Sequence, residues 1–267
     1  MKQWAWFSLF FLFSCGSQHS CAPNFKDLKI NYPHVIYHGK KLPSEIILKK
    51  TQPANWAPLT QISKKLQGAI IVSEDWAFYE HHGYDEKQIK EAVQKSIEGK
   101  KLIRGASTIT QQVVKNIYLS KEKSLVRKVR ELWMAIKVEK ILGKSRILEL
   151  YLNIAELGEG IFGVGQASQF YFHKNPSELT AKEGAFLAML LPSPKKYAVS
   201  FRRGELTIYA RKIIRSILDK MVMAQFLTVA ERDLEWSTPL NFEKKIDASV
   251  PDATLLNSDD DEVDSLE

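Results

Sequence analysis

Apolar residues recur at spacings of three and four over most of the chain, which predicts a mainly α protein. From Thr60 the stripe Ile62, Leu66, Ala69, Ile70 and Ser73 predicts a helix delivering Glu74 and Asp75 at its end. Asp85 with Gln88 reads as a capping box for a second helix, striped by Ile89, Ala92, Val93, Ser96 and Ile97 and stopped by Gly99. Thr108 with Gln111 can open a third in the same way. A long helix follows from Ser124 to Gly143, then one from Ser145 to Leu157 whose broad apolar coverage makes it central. Gly158, Gly160, Gly163 and Gly165 predict a flexible or tightly turning connection. Thr180 with Glu183 caps a helix ending before Pro192 and Pro194. Leu206, Tyr209, Ala210, Ile213, Ile214, Ile217, Leu218 and Met221 stripe another, and Thr228 with Glu231 caps a short last one. Ahead of all this, residues 22–58 hold proline, lysine and only short β-leaning runs, His34–Tyr37 and Ile46–Leu48, and read as a stalk with a small extended segment.

These patterns divide the chain into a signal segment over 1–15, a stalk and extended lead-in over 16–44, one domain over 45–240, and a tail over 241–267 expected to be disordered. Net charge is +7, unevenly placed: residues 252–267 carry seven acids and no Lys or Arg, which leaves +14 on residues 1–251. A basic body suits nucleic acid, an anionic membrane or a phosphorylated substrate. The apolar run Trp4–Phe13 is too short to span a bilayer, which needs about 20 residues, but has the length of a secretory signal core. Leu12-Phe13-Ser14-Cys15 resembles a bacterial lipobox, with Cys15 the lipidated residue; an ordinary cleaved signal is the alternative. Either way the chain leaves the cytoplasm, which counts against nucleic acid. No cysteine follows Cys21, so the body has neither a disulfide framework nor a thiolate metal site.

The chemistry concentrates between Lys100 and Leu132. Gly105-Ala106-Ser107-Thr108 leads into Gln111, Gln112, Lys115 and Asn116. On the next helix Lys123, Arg127 and Arg130 fall within roughly 60° of one another, with Glu131 beside them. Leu125, Val129, Leu132, Trp133 and Ile136 lie opposite and are expected to pack inward. Met134 and Val138 continue the charged face, which places the cations at the mouth of a cleft suited to a phosphate or diphosphate. Glu74, ending an apolar helix, is the candidate general base, since burial raises a carboxylate's pKa. Glu131, set among cations, is suited to orienting them or to holding a metal. Adjacent His81 and His82 lack companion ligands and read as structural. Ser120/Lys123 and Ser193/Lys196 match a Ser-x-x-Lys pattern without a following Lys-Thr-Gly, and read as chance.

Five blocks in order, EDWAFYEHHG (74–83), GASTITQQVVKN (105–116), RKVRE (127–131), KSRILELYLNIAELGEGIFGVGQASQFYF (144–172) and LTAKEGAFLAMLLPSPKKY (179–197), resemble the peptidoglycan glycosyltransferases, here without a transpeptidase domain. The resemblance implies a lysozyme-like helical lobe with a smaller apolar jaw lying on a membrane. It implies polymerisation of lipid II into β-1,4 glycan with inversion and release of undecaprenyl diphosphate. In that reading Glu74 is the base and Glu131 the second functional carboxylate. Ser107, Gln111, Gln112, Lys115, Asn116, Lys123, Arg127, Lys128, Arg130 and Asn153 then bind substrate or shape its cleft. A divalent cation, magnesium or manganese, is expected, with Glu131 as its candidate ligand. The expected partners are lipid II, the growing strand, the membrane surface and other cell-wall proteins; the expected place is the periplasmic side of the inner membrane. A glycan-cleaving lysozyme-like enzyme and a non-catalytic scaffold lipoprotein are the alternatives.

Overall fold

Helices carry the chain, as the periodicity predicts. A computed structural model describes residues 23–40, 42–97, 107–120, 122 and 124–243. Cys15, Lys123, the Gly105-Ala106 pair and the acidic stretch over 252–267 lie outside the described residues. A 3-10 turn over Phe25–Lys29 precedes an antiparallel hairpin of β1 (Tyr32–Ile36) and β2 (Glu45–Lys49), with Tyr32 opposite Lys49 and Ile36 opposite Glu45. Then come α1 (Lys64–Glu74), α2 (Glu86–Ile97), α3 (Ile109–Tyr118), α4 (Leu125–Leu142) and α5 (Lys144–Ile154). A second small hairpin, β3 (Glu156–Gly158) and β4 (Ile161–Phe162), leads into α6 (Gly163–Phe172). The chain continues through α7 (Ala181–Leu190), the short α8 (Pro194–Tyr197) and α9 (Val199–Arg203), α10 (Ile208–Met223) and α11 (Val229–Ser237).

Two packed groups share one core. In the first, α7 is buried along its whole length and lies between α1 and α10. A side chain on Gly184 would come within 2.9 Å of the Leu66 backbone, so glycine is what lets α7 and α1 approach so closely. In the second group α3 rests on α4 and α5, and α5 buries every residue from Leu150 to Ile154. The capping boxes at Thr108/Gln111, Thr180/Glu183 and Thr228/Glu231 all form, so three helix starts were written in the sequence.

Of the two readings of the glycine-rich connection, the tight turn is the one observed: it is a hairpin leading into a helix. Gly163 sits at φ +77° with a would-be Cβ 2.5 Å from the Asn153 carbonyl oxygen. Two expectations need correction. The lead-in is not a free stalk from Phe25 onward: Phe25 and Leu28 are buried, and Arg146 binds the Leu28 and Asn31 carbonyls. The second concerns α4. Its expected packing stripe faces outward, with Leu125, Val129 and Trp133 exposed and Leu132 and Ile136 only half-buried. The buried face carries Glu131, Met134, Ala135, Val138 and Glu139. Periodicity distinguishes two faces of a helix but does not say which one meets the core; here ion pairing lets the charged face be the inner one.

Candidate active site

The site is built where the end of α1 meets α3, α4 and α5. Glu74 is the last residue of α1 and is half-buried. Its Oε2 accepts from Gln112 Nε2 at 2.9 Å, and Gln112 Oε1 accepts from the Tyr151 hydroxyl at 3.2 Å. Burial pushes the Glu74 carboxyl above its ordinary value; the Gln112 bond and the Lys115 charge pull against that, while Asp75 adds to it. Next along α3, Lys115 is reached by solvent, yet enough protein surrounds it to push its ammonium pKa down. Lys115 feels both Glu131 and Glu74 as favourable charges, and Lys128 and Arg127 as repulsive ones. It is therefore within electrostatic reach of both carboxylates.

Beyond Lys115, Glu131 is buried, and its two oxygens accept from Arg127 Nη1 at 2.8 Å and Lys128 Nζ at 2.5 Å. Lys128 also donates to Ser107 Oγ at 2.8 Å, tying α4 to the start of α3. Arg127 Nε is buried with no hydrogen-bond partner, a donor that costs about 1–3 kcal/mol to leave unpaired and that an anion entering beside it would satisfy. The structure thus brings together Glu74, Gln112, Lys115, Glu131, Arg127, Lys128 and Ser107.

Other expected site residues stand elsewhere. Gln111 is buried and closes the Thr108 capping box, its Oε1 accepting from Thr108 N at 3.0 Å, so its side chain is spent on starting α3. Asn153 is buried too, with Oδ1 accepting from Ala57 N and Nδ2 donating to Ala57 O and Glu149 O, each at 2.8 Å. It clamps the chain before α1 onto α5. Arg130 is exposed, about 100° round the helix from Glu131, on the side of the outward stripe. Asn116 is exposed beside Lys115 on α3.

Several supporting residues escaped the sequence reading. Asp75 does point away from Glu74: it accepts from Ile109 N at 2.9 Å and from His81 Nε2 at 2.9 and 3.0 Å. Gly83 N donates to His81 Nδ1, which puts the ring proton on Nε2. His81 is thus structural, as expected. Thr110 donates to Glu139 at 2.6 Å, and Lys144 binds Glu139 and the His81 carbonyl. The signal for Tyr151 was available as a hydroxyl in an otherwise apolar helix face.

Glu131 does not fit the metal expected of it. Both of its oxygens are engaged by cations, and among the described residues no three His, Cys, Asp or Glu side chains converge. A cavity of about 60 Å³ between α7 and the segment after α11 holds Lys174 paired with Glu183 and Lys182 bound to the Trp236 and Thr238 carbonyls, contacts that fasten the fold.

The Transglycosylase family model matches residues 40–222. The chain belongs to that family. A biosynthetic peptidoglycan transglycosylase of Shewanella amazonensis is 46% identical over 145 residues, covering 54% of this chain and 59% of that protein. One from Escherichia coli is 44% identical over 151 residues, covering 57% and 62%. The chain thus matches about three fifths of the length of these curated relatives. The family matched is the one the five sequence blocks resemble.

Proposed function

We propose that this transglycosylase-family chain polymerises lipid II into β-1,4 glycan strands with inversion. Glu74 takes the proton from the acceptor's 4-hydroxyl as that oxygen forms its bond to the donor's anomeric carbon. The bond from that carbon to the diphosphate breaks, and the leaving undecaprenyl diphosphate keeps the electron pair. Lys115, Arg127 and Lys128 meet the negative charge that develops there. The observation that carries the reading is a buried carboxylate fixing two cations, with Lys115 in electrostatic reach of it and of the Gln112-bound carboxylate that is held above its ordinary pKa. Glycan cleavage by a lysozyme-like enzyme needs a carboxylate but no diphosphate site, and a scaffold needs neither.

The outward stripe of α4, with Val126 as well as Leu125, Val129 and Trp133 exposed, suits an apolar jaw on a lipid surface. Among the described residues no helix is long and apolar enough to cross a membrane. Export, lipidation at Cys15 and residence on the periplasmic side of the inner membrane complete the proposal. Lys123, Arg130 and Asn116 belong to it as outer contacts to substrate. The magnesium or manganese requirement is a separate proposal, and Glu131 as placed does not supply its ligand; chelation that leaves polymer yield intact removes it.

The deciding experiment incubates the purified chain with fluorescent lipid II and resolves the products on a gel. A ladder of long glycan supports the reading. Unchanged lipid II, together with soluble muropeptides released from sacculi, transfers the protein to the cleaving class.

A further inference from the structure

We propose that Tyr151 is a positioning residue for Glu74, acting through the Gln112 amide; the inference rests on Glu74 being the base. Glu74, Gln112 and Tyr151 come from α1, α3 and α5, three elements whose mutual packing fixes their spacing. An amide side chain has two nearly isosteric ends, one donating and one accepting. The ionised Glu74 only accepts and so takes the NH₂ end, at 2.9 Å from its Oε2, which leaves the Gln112 oxygen facing α5. The Tyr151 hydroxyl donates to that oxygen at 3.2 Å and so holds the amide in the orientation the base needs.

Tyr151 can play that part because it never ionises in the working range. It is almost wholly buried, and burial together with the Glu74 and Asp75 charges pushes its hydroxyl well above the ordinary range. The charged groups facing Glu74 are Asp75 at the end of α1 and Lys115 on α3. Tyr151 therefore acts through the amide, which it holds with its donating end toward the base.

Tyr151→Phe removes one oxygen and keeps the ring that fills the core. The Gln112 oxygen then loses its donor, so the NH₂ end is held less firmly at Glu74 and the carboxylate is favoured less. The expected result is a kcat lower by roughly tenfold, the low end of what a mispositioned base costs, with KM little changed. The acid limb of the rate profile should move to higher pH, and activity should recover in part at alkaline pH. Carbon-13 titration of the Glu74 carboxyl, assigned with Glu74→Gln, reads the same effect without turnover and should show a higher midpoint in Tyr151→Phe. If that variant melts too low to study, Tyr151→Met removes the hydroxyl in a side chain of similar reach and should raise the midpoint likewise. An unmoved Glu74 titration in the variant that folds overturns the proposal. If the wild-type chain makes no polymer at all, the polymerase reading falls while the titration still decides the role of Tyr151.

Discussion

Glu74 and Glu131 both act on Lys115, and their surroundings differ in one respect that separates their chemistry. Around Glu131 the hydrogen-bond donors are charged: Arg127 and Lys128 hold one oxygen each. Around Glu74 the close donor is a neutral amide, and the nearest cation acts only through space. Enclosed by protein and bound to an amide, the Glu74 carboxyl is held above its ordinary value. In the proposed reaction the same residue type is an anchor at one end of the site and the base at the other. The lesson is that partner charge, more than depth of burial, assigns the role.

The sharpest way to break that contrast is Glu74→Gln. It should lower polymer formation from lipid II by roughly 10²–10⁴-fold, the usual range for a positioned general base. The variant should still bind a lipid II analogue. Stability should change the other way. Burial holds the folded carboxyl above its ordinary 4.5, so the protonated form stabilises the fold fully at pH below the unfolded value, and that contribution is lost as pH rises through the folded value. Glu74→Gln should therefore raise Tm at pH 7.5 and leave it close to wild type near pH 4. A lowered Tm at pH 7.5 would show that Glu74 is not desolvated as described.

Glu131→Gln comes next, with an expected loss of roughly 10²-fold, comparable to losing one donor to a developing charge. Its cause is different: Arg127 and Lys128 lose their anchor and repel each other. The acid limb of the rate profile, set by Glu74, should survive this substitution, because Glu131 reaches Glu74 only by way of Lys115. A vanished acid limb would mean that the two carboxylates share one task.

Asn153→Ala tests the reassignment of that residue from substrate to scaffold. It strips the partners from Ala57 and should cost about 1–3 kcal/mol of stability, seen as a lower denaturant midpoint with an unchanged KM for lipid II. A raised KM in a fully folded variant would return Asn153 to the binding list. Smallest of all, Arg130→Ala should stay within about threefold of wild type in polymer yield, because an exposed cation contributes little; a loss matching that of Glu131→Gln would bring it back among the site cations.

Much of this architecture was legible before any coordinates. Thr108, Thr180 and Thr228 announced their helices because a capping box needs only residues three apart. Glu74 at a helix end and the Lys115–Arg127–Glu131 grouping were legible because local spacing fixes them. What stayed hidden needed distant parts of the chain to meet. Nothing near Asn153 says that Ala57 lies beside it, 96 residues away in sequence. Gln111 carried two readings, cap and ligand, and only burial distinguished them. The inward face of α4 was misread because its outward side is the more apolar one, a case that arises when a helix presents grease to something other than its own core.

The packing of Phe25 and Leu28 sets a practical limit on how the chain can be shortened. Phe25 meets the rings of Tyr118 and Trp133, with centroids 5.5 and 6.4 Å away, so it plugs the flank of α4 beside its exposed stripe. An expression boundary drawn at residue 45 would pull that plug and expose the apolar surface it covers. Trimming should stop short of Asn24, whose amide side chain and carbonyl shape the turn that holds Phe25 in place.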